Sequence, residues 1–480
     1  MSQATADPRD PRGLRADAPL LDGYLTFRGA AAVPFTIPGH KQRLDLVGDV
    51  VAGDVPLFGG LAPVKEAVAL VSRAERRAAQ LWGADVCRFS VGGSTHGNQA
   101  LALAVARPGE QVVVSRTLHR SLLLGLVLAG LEPVWVRPDI GADGIPRGVP
   151  PATLASALDS APGAKAVFVG EPSYLGAVGD VAGLAAVAHG HGRSGIPLVV
   201  DAAWGAHFGF HPALPQHALT LGADALVTSA HKGLPSISQG AIVLAQSSRI
   251  EPARLDAAFE ATATTSPAGA ILASIDASRA LLERDGPALL GPVIAAVATA
   301  RRRLTTLPGA VVLDGPDVDP LRLVILLAGT GADGNVIERD LLDEGLPLEM
   351  ADRDTLAPVI TLADTPDGVA RLVDRLVAAI DRHTGPPRDA LSSGVWSVEP
   401  RVRLSPREAF FAPTRVVPFT EAIGQVSAEL VAPYPPGIPV LAPGEEITAD
   451  VAAALRNAVA TGVRIAYAAD PSLDTVRVVS

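Results

Sequence analysis

The sequence predicts an α/β protein whose large domain is built on a mostly parallel mixed sheet, followed by a smaller α+β carboxyl-terminal region. Three observations lead to this prediction. Between residues 86 and 245, short apolar runs alternate with stretches of helical spacing, which is the pattern of βαβ units. The apolar runs are continuous, as in parallel strands that are covered on both faces. The length of 480 residues suits two or three domains better than one core.

The large domain is predicted to contain seven strands, most of them joined by helices. We expect strands at residues 86–90, 111–115, 133–137, 166–170, 197–201, 225–228 and 241–245. We expect helices at 63–81, 97–105, 121–129, 152–158 and 181–189. The apolar run at 122–131 is too short to span a bilayer and predicts a buried helix.

Local composition and hydrophobic patterns predict how the rest of the chain is divided into segments and domains. Residues 1–22 are rich in Pro, Asp and Arg and predict a mobile arm, and 268–305 predicts a long helix that leaves the large domain. We expect strands at 310–313, 321–327 and 359–362, helices at 334–343 and 366–381, and a linker at 384–396. The predicted divisions are an amino-terminal segment (1–50), a large domain (51–290), a small domain (291–385) and a carboxyl-terminal domain (386–480).

Charge and cysteine content exclude several classes of function. The net charge of -10 offers no basic surface for nucleic acid. We see no secretory signal and no membrane span at the start of the chain, and the single Cys87 cannot form an internal disulfide. These features favour a soluble protein in the reducing cytoplasm, and we expect no metal site.

Lys232 is the first candidate for chemistry. It follows the apolar run 225–228, and Gly233 and Pro235 forbid a continuing helix, so we expect it on a loop at the carboxyl edge of the sheet. A solvated loop lysine is the ordinary alternative. The chain, however, has only four lysines, which are Lys41, Lys65, Lys165 and Lys232. A lysine bound to pyridoxal phosphate (PLP) is the most specific explanation for keeping one here.

Four further groups of residues follow predicted strands. Ser94 and Thr95 come after two glycines and begin a helix, which suits a phosphate, although an ordinary helix cap has the same pattern. Asp201 ends a strand and could pair with a pyridine nitrogen or cap the next turn. His119 could stack on a flat ring or begin a helix, and Tyr174 could line a pocket.

Together these features resemble fold type I PLP enzymes, and more narrowly the ornithine/lysine/arginine decarboxylase family. The motifs that carry the resemblance are Pro-Gly-His-Lys-Gln (38–42), Gly-Ser-Thr-His-Gly-Asn-Gln (93–99), Leu-His-Arg-Ser (118–121), Asp201 with Trp-Gly-Ala-His (204–207), Ser-Ala-His-Lys (229–232), Ser-Pro-Arg-Glu-Ala-Phe-Phe (405–411), Pro-Phe-Thr-Glu-Ala-Ile-Gly (418–424), Pro-Tyr-Pro-Pro-Gly-Ile-Pro (433–439) and Pro-Gly-Glu (443–445). The resemblance covers nearly the whole chain. Ala202, Ala230 and Arg43 depart from the family pattern.

The resemblance implies a role for each candidate. Lys232 would form the aldimine with PLP, Asp201 would partner the pyridine nitrogen and His119 would stack on the ring. The remaining implied cofactor contacts are Ser94, Thr95 and Ser229 at the phosphate, with Trp204 and His231 nearby. Family members work as dimers with sites at the subunit interface, so a homodimer or higher oligomer is implied.

The predicted function is PLP-dependent decarboxylation of a basic amino acid: arginine, lysine or ornithine. The distal cation of such a substrate should meet a carboxylate, for which Glu421 is a candidate, although it could equally be a surface residue. The alternatives are another fold type I PLP reaction, such as an aminotransferase or lyase, and a non-catalytic regulator. Retention of Lys232, Asp201 and His119 argues against the regulator.

Overall fold

In a computed structural model, the described residues are 7–30, 34–141, 143–388, 393–396, 398–434 and 437–480. The amino-terminal segment contains α1 (Pro19–Gly29), α2 (Leu44–Val47) and α3 (Val64–Trp82), with 3-10 turns at Leu14–Ala16 and Gly48–Val51. Where the sequence predicts a mobile arm, residues 7–22 pack against the rest of the chain. The carboxylate of Asp10 accepts the backbone N–H groups of Leu14 and Arg15, which holds this segment in a fixed turn. Residues 1–6 lie outside the described part.

The large domain is organised around a seven-stranded sheet, and the prediction of that sheet is confirmed. Its strands are β1 (Val86–Ser90), β2 (Gln111–Ser115), β3 (Glu132–Val136), β4 (Val167–Gly170), β5 (Leu198–Asp201), β6 (Ala225–Ser229) and β7 (Ala241–Ala245). The strand order is β1-β7-β6-β5-β4-β2-β3. β7 runs antiparallel to both of its neighbours, and the other pairs are parallel. The parallel strands therefore end at one edge.

Helices cover this sheet because its strands are apolar on both faces. They are α4 (Gly93–Val105), α5 (Arg120–Ala129), α6 (Pro151–Ser160), α7 (Val181–Gly190), α8 (Ala230–Gly233) and α9 (Pro252–Thr262). The apolar run at 122–131 is a buried helix, as predicted. The prediction that Lys232 lies on a loop is wrong, because residues 230–233 form one helical turn directly after β6. Pro235 stops that turn from continuing.

The long helix α10 (Gly269–Leu304) links the large domain to a small one and contains the predicted division at residue 290. The small domain has an antiparallel sheet in the order β10-β11-β9-β8. Its elements are β8 (Val311–Val312), β9 (Ile325–Leu326), β10 (Met350–Ala351), β11 (Thr355–Ala357), α11 (Gly334–Asp343), α12 (Pro366–His383) and a 3-10 turn at Ala328–Thr330. The predicted strand at 359–362 is wrong. Pro358 has no N–H to donate, so the pairing ends at Ala357.

The carboxyl-terminal domain consists of three two-stranded pairs and two helices. They are β12 (Arg401–Val402) with β15 (Glu445–Glu446), β13 (Thr414–Pro418) with β17 (Thr475–Val479), β14 (Ala432–Tyr434) with β16 (Arg464–Ala466), α13 (Pro406–Phe411) and α14 (Ala449–Ala460), with 3-10 turns at Ser393–Trp396 and Phe419–Glu421. Of the predicted linker at 384–396, residues 389–392 lie outside the described residues. None of the helices in the described ranges is long and apolar enough to cross a membrane.

Candidate active site

A cavity of about 260 Å³ opens at the edge where the parallel strands end. The loops after β2, β4 and β5 and the helical turn after β6 supply one side of it, including His119, Tyr174, Trp204 and Lys232. This is where open α/β sheets place their ligands, because the chain connections diverge there. The small and carboxyl-terminal domains close the other side. The lining residues from those two domains are Glu349, Tyr434, Gly437, Ile438 and Tyr467.

Lys232 is half-buried in this cavity, and its amine lies 4.3 Å from the centre of the Trp204 ring. Burial lowers the pKa of this amine, and the charge of Arg322 lowers it further. The carboxylates of Asp201 and Glu349 act in the opposite direction. The net result is an amine that loses its proton more easily than an exposed lysine, as a nucleophile requires.

Asp201 is buried at the end of β5 and is held by two hydrogen bonds. The side-chain amide of Asn98 donates to one carboxylate oxygen over 2.7 Å, and the backbone N–H of Ala203 donates to the other over 3.2 Å. Both bonds end on the carboxylate oxygens and fix their orientation. The structure therefore presents an oriented carboxylate at the cavity that also contains Lys232.

His119 lines the cavity and also caps α5. Its Nδ1 accepts from the backbone N–H of Ser121 over 3.2 Å and lies 2.8 Å from the hydroxyl of that serine. Asn98 donates to the same hydroxyl over 3.0 Å, so His119, Ser121, Asn98 and Asp201 form one continuous network. Burial is the main cause that lowers the pKa of His119, which leaves an uncharged imidazole ring.

The first turn of α4 lies beside the end of β6. Here the hydroxyl of Ser229 donates to that of Ser94 over 3.1 Å, and both serines are buried. Gly93 begins the helix with φ of 71°, a conformation that suits glycine. Two hydroxyls and the positive end of a thirteen-residue helix make this point attractive to an anion. Thr95 lies in the same turn but is exposed.

Five of the predicted site residues do not line the cavity, namely Ser94, Thr95, Ser229, His231 and Glu421. The ring of His231 turns toward the loop that precedes β7, where its Nδ1 lies 2.9 Å from the carbonyl oxygen of Gly240. Glu421 lies on an exposed 3-10 turn of the carboxyl-terminal domain and does not line the cavity. Glu349 of the small domain lines it instead, together with Asp201 of the large domain.

No sequence pattern singled out Asn98 or Glu349, but the rarity of tyrosine is a signal that could have been used. The chain has four tyrosines, and Tyr174, Tyr434 and Tyr467 line this cavity. The ring of Tyr174 packs edge-on against Trp204, with centres 5.3 Å apart. A residue type that is so rare in the chain and so concentrated at one cavity points to binding, by the same reasoning that singled out Lys232.

The mixed seven-stranded sheet, the small domain after a long helix and a lysine just past β6 define the class of fold type I PLP enzymes. Lysine decarboxylase A from Pseudomonas aeruginosa has this fold, with a TM-score of 0.81 at 19% identity over 98% of this chain and 81% of that chain. The lysine decarboxylase of Francisella novicida also has this fold, with a TM-score of 0.79 at 19% identity over 96% of this chain and 81% of that chain.

Sequence comparisons give the narrower assignment. The model of the major domain of Orn/Lys/Arg decarboxylases matches residues 59–315, and that of their carboxyl-terminal domain matches residues 390–460. An arginine decarboxylase of Halalkalibacterium halodurans is 31% identical over 96% of this chain and 97% of its own length. An arginine decarboxylase of Bacillus subtilis is 28% identical over 96% of this chain and 98% of its own length. The chain belongs to the Orn/Lys/Arg decarboxylase family.

Proposed function

We propose that this chain is a PLP-dependent decarboxylase of a basic L-amino acid and that Lys232 is the amine that binds the cofactor. The observation that carries the proposal is the position of Lys232 in the cavity, where burial lowers the pKa of its amine. Asp201 and His119 line the same cavity. Membership of the family and the similarity to arginine decarboxylases over nearly the whole chain support the reaction.

The residues present fit PLP at both of its charged ends. The carboxylate of Asp201, fixed by Asn98, suits a protonated pyridine nitrogen, and the uncharged ring of His119 suits stacking on the pyridine. Ser94, Ser229 and the amino-terminal turn of α4 suit the phosphate, with Thr95 in the same turn. When bound, PLP supplies an electron-poor ring that accepts the electron pair of the bond to the departing carboxyl group.

The chain's own residues then have three tasks. The substrate loses CO₂ and gains a proton at Cα, and the amine of Lys232 is placed in the cavity to deliver that proton. The rings of Trp204 and Tyr174 form an apolar wall that keeps water from the amine. Asp201, oriented by its hydrogen bonds from Asn98 and Ala203, would hold a protonated ring nitrogen of the cofactor.

Glu349 is the proposed contact for the distal cation of the substrate, in place of Glu421. It carries the carboxylate that the small domain brings to the cavity, and three tyrosines surround the same space. A guanidinium group binds carboxylates in a planar geometry and stacks on aromatic rings, which an ammonium does less well. Arginine is therefore the proposed substrate to test first, ahead of lysine and ornithine.

We further propose that the chain works as a homodimer. Large apolar side chains are exposed in the amino-terminal segment, among them Phe35, Ile37, Leu46 and Val50. Phe35 is 94% exposed, and such clustering of apolar surface marks a contact with another protein. Size-exclusion chromatography with light scattering should give twice the mass of the chain, and a monomer would contradict the proposal. The cytoplasmic location stays a prediction.

The reaction is tested by incubating the PLP-loaded protein separately with arginine, lysine and ornithine. Carbon dioxide is measured together with agmatine, cadaverine and putrescine by mass spectrometry, and Lys232→Ala is the control. We expect agmatine from the parent and none from the variant. Formation of no amine by a PLP-loaded parent would refute the decarboxylase proposal for these substrates.

A further inference from the structure

Arg322 of the small domain is a buried cation without a matching anion. It is 7% exposed and forms neither a salt bridge nor a side-chain hydrogen bond with the residues that the structure describes. Its Nε is buried without a partner. The nearby carboxylate of Asp319 is occupied by His207 and by the backbone N–H of Leu321. Burying a cation in this way costs free energy, so a placement of this kind calls for an explanation.

The position of Arg322 is built into the fold. Gly176 has φ of 85°, and a Cβ there would lie 2.1 Å from Cγ of Arg322, so the side chain packs directly on bare backbone. Arg301 donates to the carbonyl oxygens of Asp319 and Arg322 over 2.7 and 2.6 Å, which fixes the segment that carries the side chain. The backbone and the aliphatic stem of Arg322 are therefore both held in place.

Arg322 and Lys232 share one aromatic neighbour. The guanidinium carbon lies 4.2 Å from the centre of the Trp204 ring, and the Lys232 amine lies 4.3 Å from it. A fixed cation this close disfavours a second positive charge on the lysine. The other groups that face Lys232 are Asp201, Glu349 and Tyr174, together with His119.

We propose that Arg322 is a positioning residue of the active site, whose guanidinium holds Trp204 in place and drives the proton from the amine of Lys232. The inference rests on Lys232 being the reacting amine of the proposed function. Arg322 does not itself line the cavity, so it acts through Trp204 and through its charge. The uncharged amine is the nucleophile, so a cation placed here favours the reactive form of Lys232.

The test measures the proton affinity of Lys232 in the full-length protein without PLP, so that it needs no enzymatic activity. Acetic anhydride labels uncharged amines, and mass spectrometry gives the extent of labelling at each lysine across a pH series. Lys41, Lys65 and Lys165 serve as internal references in the same sample. Arg322→Met removes the charge, Arg322→Gln is a second neutral variant, and Arg322→Lys keeps the charge.

Arg279→Met is the matched control, because Arg279 is a buried cation that is paired with Asp276 and Glu283 and does not line the cavity. We expect the neutral Arg322 variants to shift the labelling profile of Lys232 toward higher pH. We expect the profile to move by about one pH unit. At a fixed pH well below its midpoint, this means about tenfold less uncharged amine. Arg322→Lys should restore most of the parent profile, and Arg279→Met should leave it unchanged.

An unchanged Lys232 profile in a folded neutral variant would overturn the inference. An equal shift in Arg279→Met would also overturn it, because the effect would then come from a general loosening of the fold on loss of a buried cation. The absorption band of the PLP-loaded protein gives an independent reading, since its pH dependence should move in the same variants. Failure of the decarboxylation assay leaves these results intact, so the two proposals fail separately.

Discussion

Replacing Glu445 with Gln should destabilise the contact between the carboxyl-terminal and large domains. Arg116 and Glu445 form a two-pronged ion pair, with N to O distances of 2.6 and 2.8 Å, and they are only 8% and 1% exposed. Breaking one partner of a buried pair leaves the other charge without compensation, which costs about 3–5 kcal/mol. The backbone N–H of Ala442, which also donates to Glu445, would lose a charged acceptor.

This pair also supports the cavity. Arg116 precedes His119 in the loop after β2, and its guanidinium donates to the carbonyl oxygens of Pro439 and Val440. Those residues directly follow Gly437 and Ile438, which line the cavity. Loss of Glu445 should therefore raise KM for the amino acid as well as lower the stability of the domain contact.

The neighbouring residue supplies the control. Glu446 pairs with Arg403 over 2.6 Å, but that arginine side chain is 53% exposed, so Glu446→Gln should cost no more than about 1 kcal/mol. Urea unfolding followed by circular dichroism compares the midpoints of both variants with the parent, with each slope measured. If Glu445→Gln shifts the midpoint no further than Glu446→Gln, the buried pair does not hold the domains together.

Three more predictions follow from single contacts. Asn98→Ala removes the amide that fixes Asp201, and a hydrogen bond to a charged group is worth about 1.5–3 kcal/mol, so PLP titration should show about 10- to 100-fold weaker binding. Glu349→Gln should raise KM for arginine about tenfold with a smaller change in kcat, since it removes the proposed distal contact. Burial raises the pKa of Glu171 to about 8, above its unfolded value. The folded state therefore binds the proton more tightly, and this contribution to stability, on the order of a few kcal/mol, is lost between about pH 4.5 and 8 as the pH rises. Glu171→Gln should flatten that fall in thermal unfolding.

The first two of these predictions have a matched control. Asn335→Ala removes an exposed amide of the small domain and should leave PLP affinity unchanged. Glu344→Gln removes an exposed carboxylate that pairs with Arg375 and should leave KM unchanged. Equal PLP affinity in Asn98→Ala, equal KM in Glu349→Gln, or the same pH dependence of stability in Glu171→Gln would each count against the contact concerned.

Much of the fold was accessible from local patterns. The seven strands of the large sheet and helices α11 and α12 are confirmed with small shifts in their ends, because apolar runs and helical spacing are local properties. The family assignment is confirmed as well. The strand predicted at 359–362 failed because its apolar residues follow Pro358, and strand pairing is decided by a partner that the local pattern does not contain.

Some residues of the candidate site could be predicted from the sequence, and others could not. Lys232, Asp201 and His119 follow strands of one sheet, so the topology places them at one edge, as expected from their order in the sequence. Glu349 and Tyr467 reach the cavity from other domains, and no spacing rule relates them to Lys232. The role proposed for Arg322 could not be predicted from the sequence, because it depends on contacts with the ring of Trp204 and with the backbone of Gly176. These are tertiary contacts.

The most direct measurement is to identify which lysine binds PLP. The protein is loaded with PLP, treated with borohydride to fix any lysine linkage and mapped by mass spectrometry across Lys41, Lys65, Lys165 and Lys232. The account predicts that the pyridoxyl mass is found on Lys232 and that prior addition of arginine reduces it, because the substrate amine displaces the lysine. A pyridoxyl group on another lysine, or none on Lys232 at saturating PLP, would contradict the account.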